Sequence, residues 1–190
     1  PVTVTDNGTN VAGATVTIVD KDGQPHGATT GSDGRATVPD VPVPTEGTVT
    51  VAKDGRVVTV PVTVDEHGTM TPATVDLSGA NVAEVTVTVV EKGVTPKKPI
   101  ASATVTVGAQ AVTAGSNGKA TLRLVKGATY KGVTASKAGY TDGTVTLAVD
   151  GSGNAAPSEI ALAKATASVP VTVTDNGTSV DGATVTIVDK

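Results

Sequence analysis

The stretch PVTVTDNGTNVAGATVTIVDK, Pro1 to Lys21, returns as PVTVTDNGTSVDGATVTIVDK over Pro170 to Lys190, with only Asn10/Ser179 and Ala12/Asp181 differing. Apolar residues occupy alternate positions in Val2–Thr5 and in Ala14–Val19, and Asn7–Gly8 stands between threonines. That is the pattern of half-buried strands joined by tight turns. Near-identity at an offset of about 169 residues marks a tandem array, so the chain reads as one full period plus the start of the next. The first residue is Pro1 rather than Met, and there is neither an export signal nor an apolar run of bilayer length, as expected of a piece of a longer, repetitive polypeptide.

A weaker repeat lies inside the period. Gly13 to Val38 can be laid on Ser102 to Leu124, and Gly47 to Val64 on Lys131 to Val149. The expected organisation is a first module over 1–78, a second over 82–165, and the first two strands of the next copy over 168–190. Alternation predicts further strands in Thr48–Ala52, Val57–Val64, Glu84–Val90, Ala103–Val107, Ala120–Leu124 and Thr144–Val149. Between them Asp22–Gly23, Asp33–Gly34, Asp54–Gly55, Asn117–Gly118 and Asp142–Gly143 supply residues that tolerate positive φ. Short strands with turn signals every 8 to 12 residues predict an all-β fold of tandem β-sandwiches, about seven strands in each.

Composition agrees. Val and Thr make up roughly a third of the 190 residues, and β-branched side chains favour strands and are stiff in helices. Valine is expected inward and threonine outward. The expected cores are Val16, Ile18, Val49, Val51, Val58, Val60, Val62, Val75 and Leu77, then Val87, Val105, Leu122, Leu124, Val133, Val145, Leu147, Ile160 and Leu162. The connections Ser78–Ala83 and Ala163–Val169 contain no Gly/Ser tract, which predicts a stiff rod rather than beads on a string.

The run GSNGKATLRLVKGATYKGVTASKAGYTDGTVTL, Gly115 to Leu147, resembles the carboxypeptidase regulatory-like family of prealbumin-type, Ig-like β-sandwiches. The resemblance lies in a Gly/Asp turn, an alternating strand, Gly127 with Tyr130, and a strand ending at Gly139 and Tyr140. The first module keeps GSDGRATV (Gly31–Val38) and VAKDGR (Val51–Arg56) but has Arg56 where the family pattern has tyrosine. This resemblance implies a non-catalytic module of the kind found in bacterial cell-surface adhesins, stalks and outer-membrane proteins.

Chemistry-bearing residues are few. With no Cys, no Phe, no Trp and two Tyr, the chain has no disulfide framework, no thiolate and almost no aromatic platform for sugars or single-stranded nucleic acid. A net charge of −4 gives no footprint for polyanions, so no nucleic-acid partner is expected. His26 and His67 fall in turns, and no catalytic constellation forms around them; no enzymatic activity, small-molecule substrate or cofactor is expected. Asp20 and Asp22, and Asp150 and Asn154, are the candidate calcium ligands, although hairpin turns use the same residue types for backbone reasons. A Lys-to-Asn isopeptide cross-link would need an inward lysine on a first strand and an asparagine on a last one; VTVTD and EVTVTVV, ATVDL and EIALA lack both. Asn7 and Asn176 lie in Asn-Gly-Thr sequons that would accept a glycan in a suitable host. Tyr130, Tyr140, Arg35, Arg56 and Arg123 are the candidate contact residues of a binding surface.

The expected function is therefore structural. The chain reads as a spacer segment of an extracellular or cell-surface filament, fibre or adhesin stalk whose partners are further copies of the repeat and whose parent chain is anchored to a cell envelope. The alternative is a ligand- or self-binding module that polymerises by strand exchange through 170–190.

Overall fold

The structure, a computed structural model, describes residues 1–188; Asp189 and Lys190, the end of the repeated segment, lie outside the described residues. Among the described residues there is no helix. The first half supplies β1 (Val2–Asp6), β2 (Thr9–Asn10), β3 (Thr15–Val19), β4 (Pro25–Thr29), β5 (Arg35–Ala36), β6 (Thr45–Lys53), β7 (Arg56–Val64), β8 (Met70–Thr71) and β9 (Thr74–Asp76). In one sheet β1 is antiparallel to β2 and β5 and parallel to β9, with Val4 opposite Val75. In the other, β4, β3, β6 and β7 follow one another antiparallel, and β8 pairs with the end of β7. Valines from both sheets, including Val4, Val16, Val49, Val51 and Val75, meet in one buried cluster with Ile18 and Leu77.

The second half repeats this pairing scheme. Its strands are β10 (Val82–Glu91), β11 (Thr104–Val107), β12 (Gln110–Thr113), β13 (Lys119–Val125), β14 (Thr129–Ser136), β15 (Tyr140–Thr141), β16 (Gly143–Val149), β17 (Ala155–Ala156) and β18 (Glu159–Lys164). Strand β10 is antiparallel to β13 and parallel to β18, as β1 is to β5 and β9. Strands β12, β11, β14, β16 and β17 form the other sheet. Single hydrogen bonds recur as well: Val4 N–H to Gly34 O is matched by Val89 N–H to Gly118 O, and Asp65 N–H to Thr69 O by Asp150 N–H to Asn154 O. A second buried cluster gathers Val87, Val105, Leu122, Leu124, Val133, Leu147, Ile160 and Leu162 around Tyr130. Of the expected core residues, Val60 and Val145 differ: both are half-buried at the cluster margins.

Turn chemistry follows the sequence at most positions. Asn7–Gly8 and Asp54–Gly55 hold both central residues at positive φ (50° and 80°, 49° and 76°), the geometry that matches strand twist in a two-residue hairpin. Gly143 is an exception. It is not left-handed but opens β16, and a Cβ there would lie 2.7 Å from the carbonyl oxygen of Ala161. Glycine is required by close packing on β18, not by turn geometry.

The repeated segment behaves differently in its second copy. Only the hairpin β19 (Thr174–Asp175) and β20 (Thr178–Ser179) forms around Asn176–Gly177. The counterparts of the rest of β1 and of β3 form no strand among the described residues, although Val180 N–H still donates to Val173 O at 3.0 Å. In the first copy β1 and β3 are held by β4, β5, β6 and β9, and residues 170–188 pair with none of these strands among the described residues.

Candidate functional site

The most elaborated polar region is the junction of the two halves. Strands β7 and β13 touch in parallel at Leu124 and Thr59, joining one sheet of each half edge to edge. Tyr130 reaches this point from β14. Its side chain is wholly buried, its hydroxyl donates to the Thr59 carbonyl at 2.8 Å, and it accepts the Val125 N–H at 2.7 Å. Burial pushes the phenol well above the usual tyrosine range, so it stays a neutral donor.

Beside it the turn between β11 and β12 rests on the threonine face of β6. Gly108 adopts φ +56°, and a Cβ on it would fall 2.3 Å from Thr48 Oγ1. Ala109 N–H donates to Thr50 Oγ1 at 3.3 Å, and Thr50 Oγ1 lies 3.0 Å from Thr59 Oγ1. Thr48, Thr50 and Thr59 are therefore buried, contrary to the expectation that strand threonines face water: the second half covers that face. At the rim Lys131 Nζ stands 2.5 Å from Glu46 Oε2 and holds the Glu46 carboxyl below its usual range.

An open groove of about 720 Å³ runs along this junction, lined from one side by Val19, Thr48 and Pro61 and from the other by Thr106, Thr129 and Lys131. Its lining brings together threonine hydroxyls, aliphatic walls, the Glu46–Lys131 ion pair and, on the first-half side, Asp20 and Lys21. That set can hydrogen-bond and pack against a partner group.

The candidate calcium residues have other work. Asp20 Oδ2 lies 3.0 Å from His26 Nε2, and its Oδ1 accepts the N–H groups of Asp22 and Gln24, both at 2.9 Å. The His26 hydrogen bond first, then the Gln24 amide, hold the Asp20 carboxyl below the ordinary aspartate value. Asp22 points outward beside Lys21, so the two aspartates do not converge. Asp150 Oδ2 accepts Asn154 Nδ2 at 2.9 Å, and its Oδ1 accepts the N–H groups of Ser152 and Asn154, both at 2.8 Å. Hydrogen bonding from Asn154, side chain before backbone, holds the Asp150 carboxyl below the ordinary aspartate value too. Asp65 caps the equivalent loop of the first half through the N–H groups of His67 and Thr69. These are turn-organising carboxylates. Among the described residues no group of three or more His, Cys, Asp or Glu is placed to hold a metal ion.

The candidate contact residues lie on five different strands. Tyr130 is interior and presents nothing to a partner. Tyr140 is half-buried with its hydroxyl 3.3 Å from Glu91, a buried carboxylate that also has Lys98 and Lys164 at 3.5 and 3.6 Å. Arg56 pairs with Asp6 at 2.8 Å, Arg35 is exposed on β5, and half-buried Arg123 keeps its Nε enclosed without a partner. Asn7 and Asn176 are both exposed at hairpin tips. Sequence reading missed Thr59 and Gly108; the available signal was Tyr130, one large side chain in a chain of small aliphatic ones.

No protein-family model matches the chain, and no curated protein does either. Among solved structures it is similar to one described as the Bacillus anthracis TIE protein, at 16% identity and a TM-score of 0.34, over 86% of this chain and 33% of that one. The chain thus spans about a third of that structure's length, and an overlay this loose carries no weight for what the chain does.

Proposed function

We propose that the chain is a non-catalytic spacer: a repeat segment of a long extracellular filament, fibre or adhesin stalk, built of tandem Ig-like β-sandwich modules over 1–78 and 82–165, with 168–190 opening the next. The observation that carries this reading is the built junction. A spacer has to transmit direction from one module to the next. Here the halves are joined by a strand contact at Leu124–Thr59, by the buried hydroxyl of Tyr130 and by the seating of Gly108 on Thr48. The repeat at about 169 residues and the resemblance of Gly115–Leu147 to carboxypeptidase regulatory-like modules support the same reading.

In this role the parent chain is displayed at, or anchored to, a cell envelope, and its partners are further copies of the repeat. Concatenated periods imaged by negative stain should give particles of constant width whose length grows linearly with the number of periods. Particles that collapse into globules or flexible strings would refute the rod. Surface display has its own test: antibodies against the chain should label intact cells of the source organism, and labelling only after lysis would count against it.

A further inference from the structure

The two modules carry opposite charge. Residues 1–78 hold ten Asp and Glu against four Lys and Arg, a net −6, whereas residues 82–165 hold five against nine, a net +4. The overall −4 conceals this polarity. Among the described residues a single ion pair crosses between the halves, Glu46 with Lys131, and it has the same sense: acid from the first half, base from the second. In the second half the positive charge gathers on one sheet face. Strands β13, β10 and β18 lie side by side, with Lys119 opposite Thr88 and Thr88 opposite Glu159, and with the exposed hydroxyls of Thr86 and Thr121 3.1 Å apart. Lys97 pairs with Glu159, and Lys98 and Lys164 flank the buried Glu91 at 3.5 and 3.6 Å. These lysines and Lys92 are all exposed, five cations set against Glu159 and Glu91. In the first half, Glu46 and Asp65 line one shallow groove, and Asp22 and Glu66 are exposed at the adjoining turns.

We propose that the lysine-bearing face of the second half is a lateral docking surface whose occupant is the acidic first half of a second copy of this chain. Charge complementarity selects this occupant, and the Glu46–Lys131 pair shows the same attraction already at work within one chain. Two copies lying antiparallel satisfy the contact twice, as a closed two-fold pair. In an array the sign of charge alternates from module to module. Neighbouring parallel filaments in register therefore oppose like charges, whereas a shift of one module opposes unlike charges at every contact. The charges are exposed, so they fix register and approach more than affinity, and salt weakens them over a screening length of about 10 Å at 0.1 M. The bundled fibre that follows rests on the filament reading; the contact itself needs only two copies of one period.

Sedimentation velocity of the full chain near neutral pH tests the contact without any variant. A dimer that grows with protein concentration should appear in about 20 mM salt and return to monomer in about 500 mM. Charge reversal then locates it. Lys92→Glu, Lys97→Glu, Lys119→Glu makes the docking face acidic, and Asp22→Lys, Glu66→Lys makes the first half less so; each variant alone should stay monomeric in low salt. An equimolar mixture of the two should recover the dimer, because unlike faces are opposed again. A monomeric wild-type chain in low salt, a dimer indifferent to salt, or reversed variants that dimerise as well as wild type would each overturn the proposal. So would a chain that stays monomeric yet binds polyphosphate through these lysines, since an anionic polymer would then be the occupant. None of these outcomes depends on whether concatenated periods are straight, so the rod and the lateral contact fail separately.

Discussion

Tyr130 does with one hydroxyl what a binding site does with several groups: it bridges two backbone groups, one from each half. Tyr130→Phe should lower stability by about 2 kcal/mol, because a buried polar group left without its partner keeps its desolvation cost. Urea unfolding should show a lower midpoint with an unchanged slope. Since the folded phenol titrates above the unfolded one, its contribution is complete below about pH 10 and is lost as pH rises further. Asp20 has the opposite sign. Its folded carboxyl is held below the ordinary aspartate value, so its contribution is present above about pH 4 and disappears as pH falls through the lowered value. Asp20→Asn should therefore be less stable at neutral pH and flatter in its acid limb, as thermal melts between about pH 2 and 7 would show. Single letters gave no warning of either role. Tyr130 reads as a surface anchor and Asp20 as a cation ligand until the elements around them are placed, because the same donor and acceptor groups serve both purposes.

At the scale of elements, the strands were legible where Val and Thr alternate, as in Thr15–Val19 and Glu84–Val90, because period-2 patterning is a local property. What remained hidden depends on partners. Alternation marks Thr48 and Thr50 as the wet face of β6, and nothing within that strand announces that the β11–β12 turn will cover them. Glycines show the same division. Gly55 is readable from its Asp-Gly hairpin, whereas Gly47 is needed because a Cβ there would stand 2.1 Å from the carbonyl oxygen of Val19. Gly47→Ala should cost about 1–3 kcal/mol by forcing β3 and β6 apart. Gly27→Ala, in edge strand β4 with its nearest atom at 4.0 Å and no positive φ, should change stability by less than about 0.5 kcal/mol. Chemical denaturation of the two variants side by side checks the contrast.

At the scale of the whole molecule, the junction sets how far the halves can swing. Spin labels at Asp22→Cys in the first half and Lys119→Cys in the second should give one narrow distance distribution. Adding Gly108→Val, which drives a side chain into Thr48, should broaden it. A distribution equally narrow in both would mean that the β11–β12 turn does not fix the angle. One pairing described above also has a mechanical meaning. In each half the opening strand lies parallel to the closing one, β1 beside β9 and β10 beside β18. When the chain is drawn out from its two ends, parallel neighbours slide along each other, so their hydrogen bonds share the load and yield together rather than peeling open one at a time. Under such tension the load on each half would fall on its parallel pair, β1 with β9 and β10 with β18.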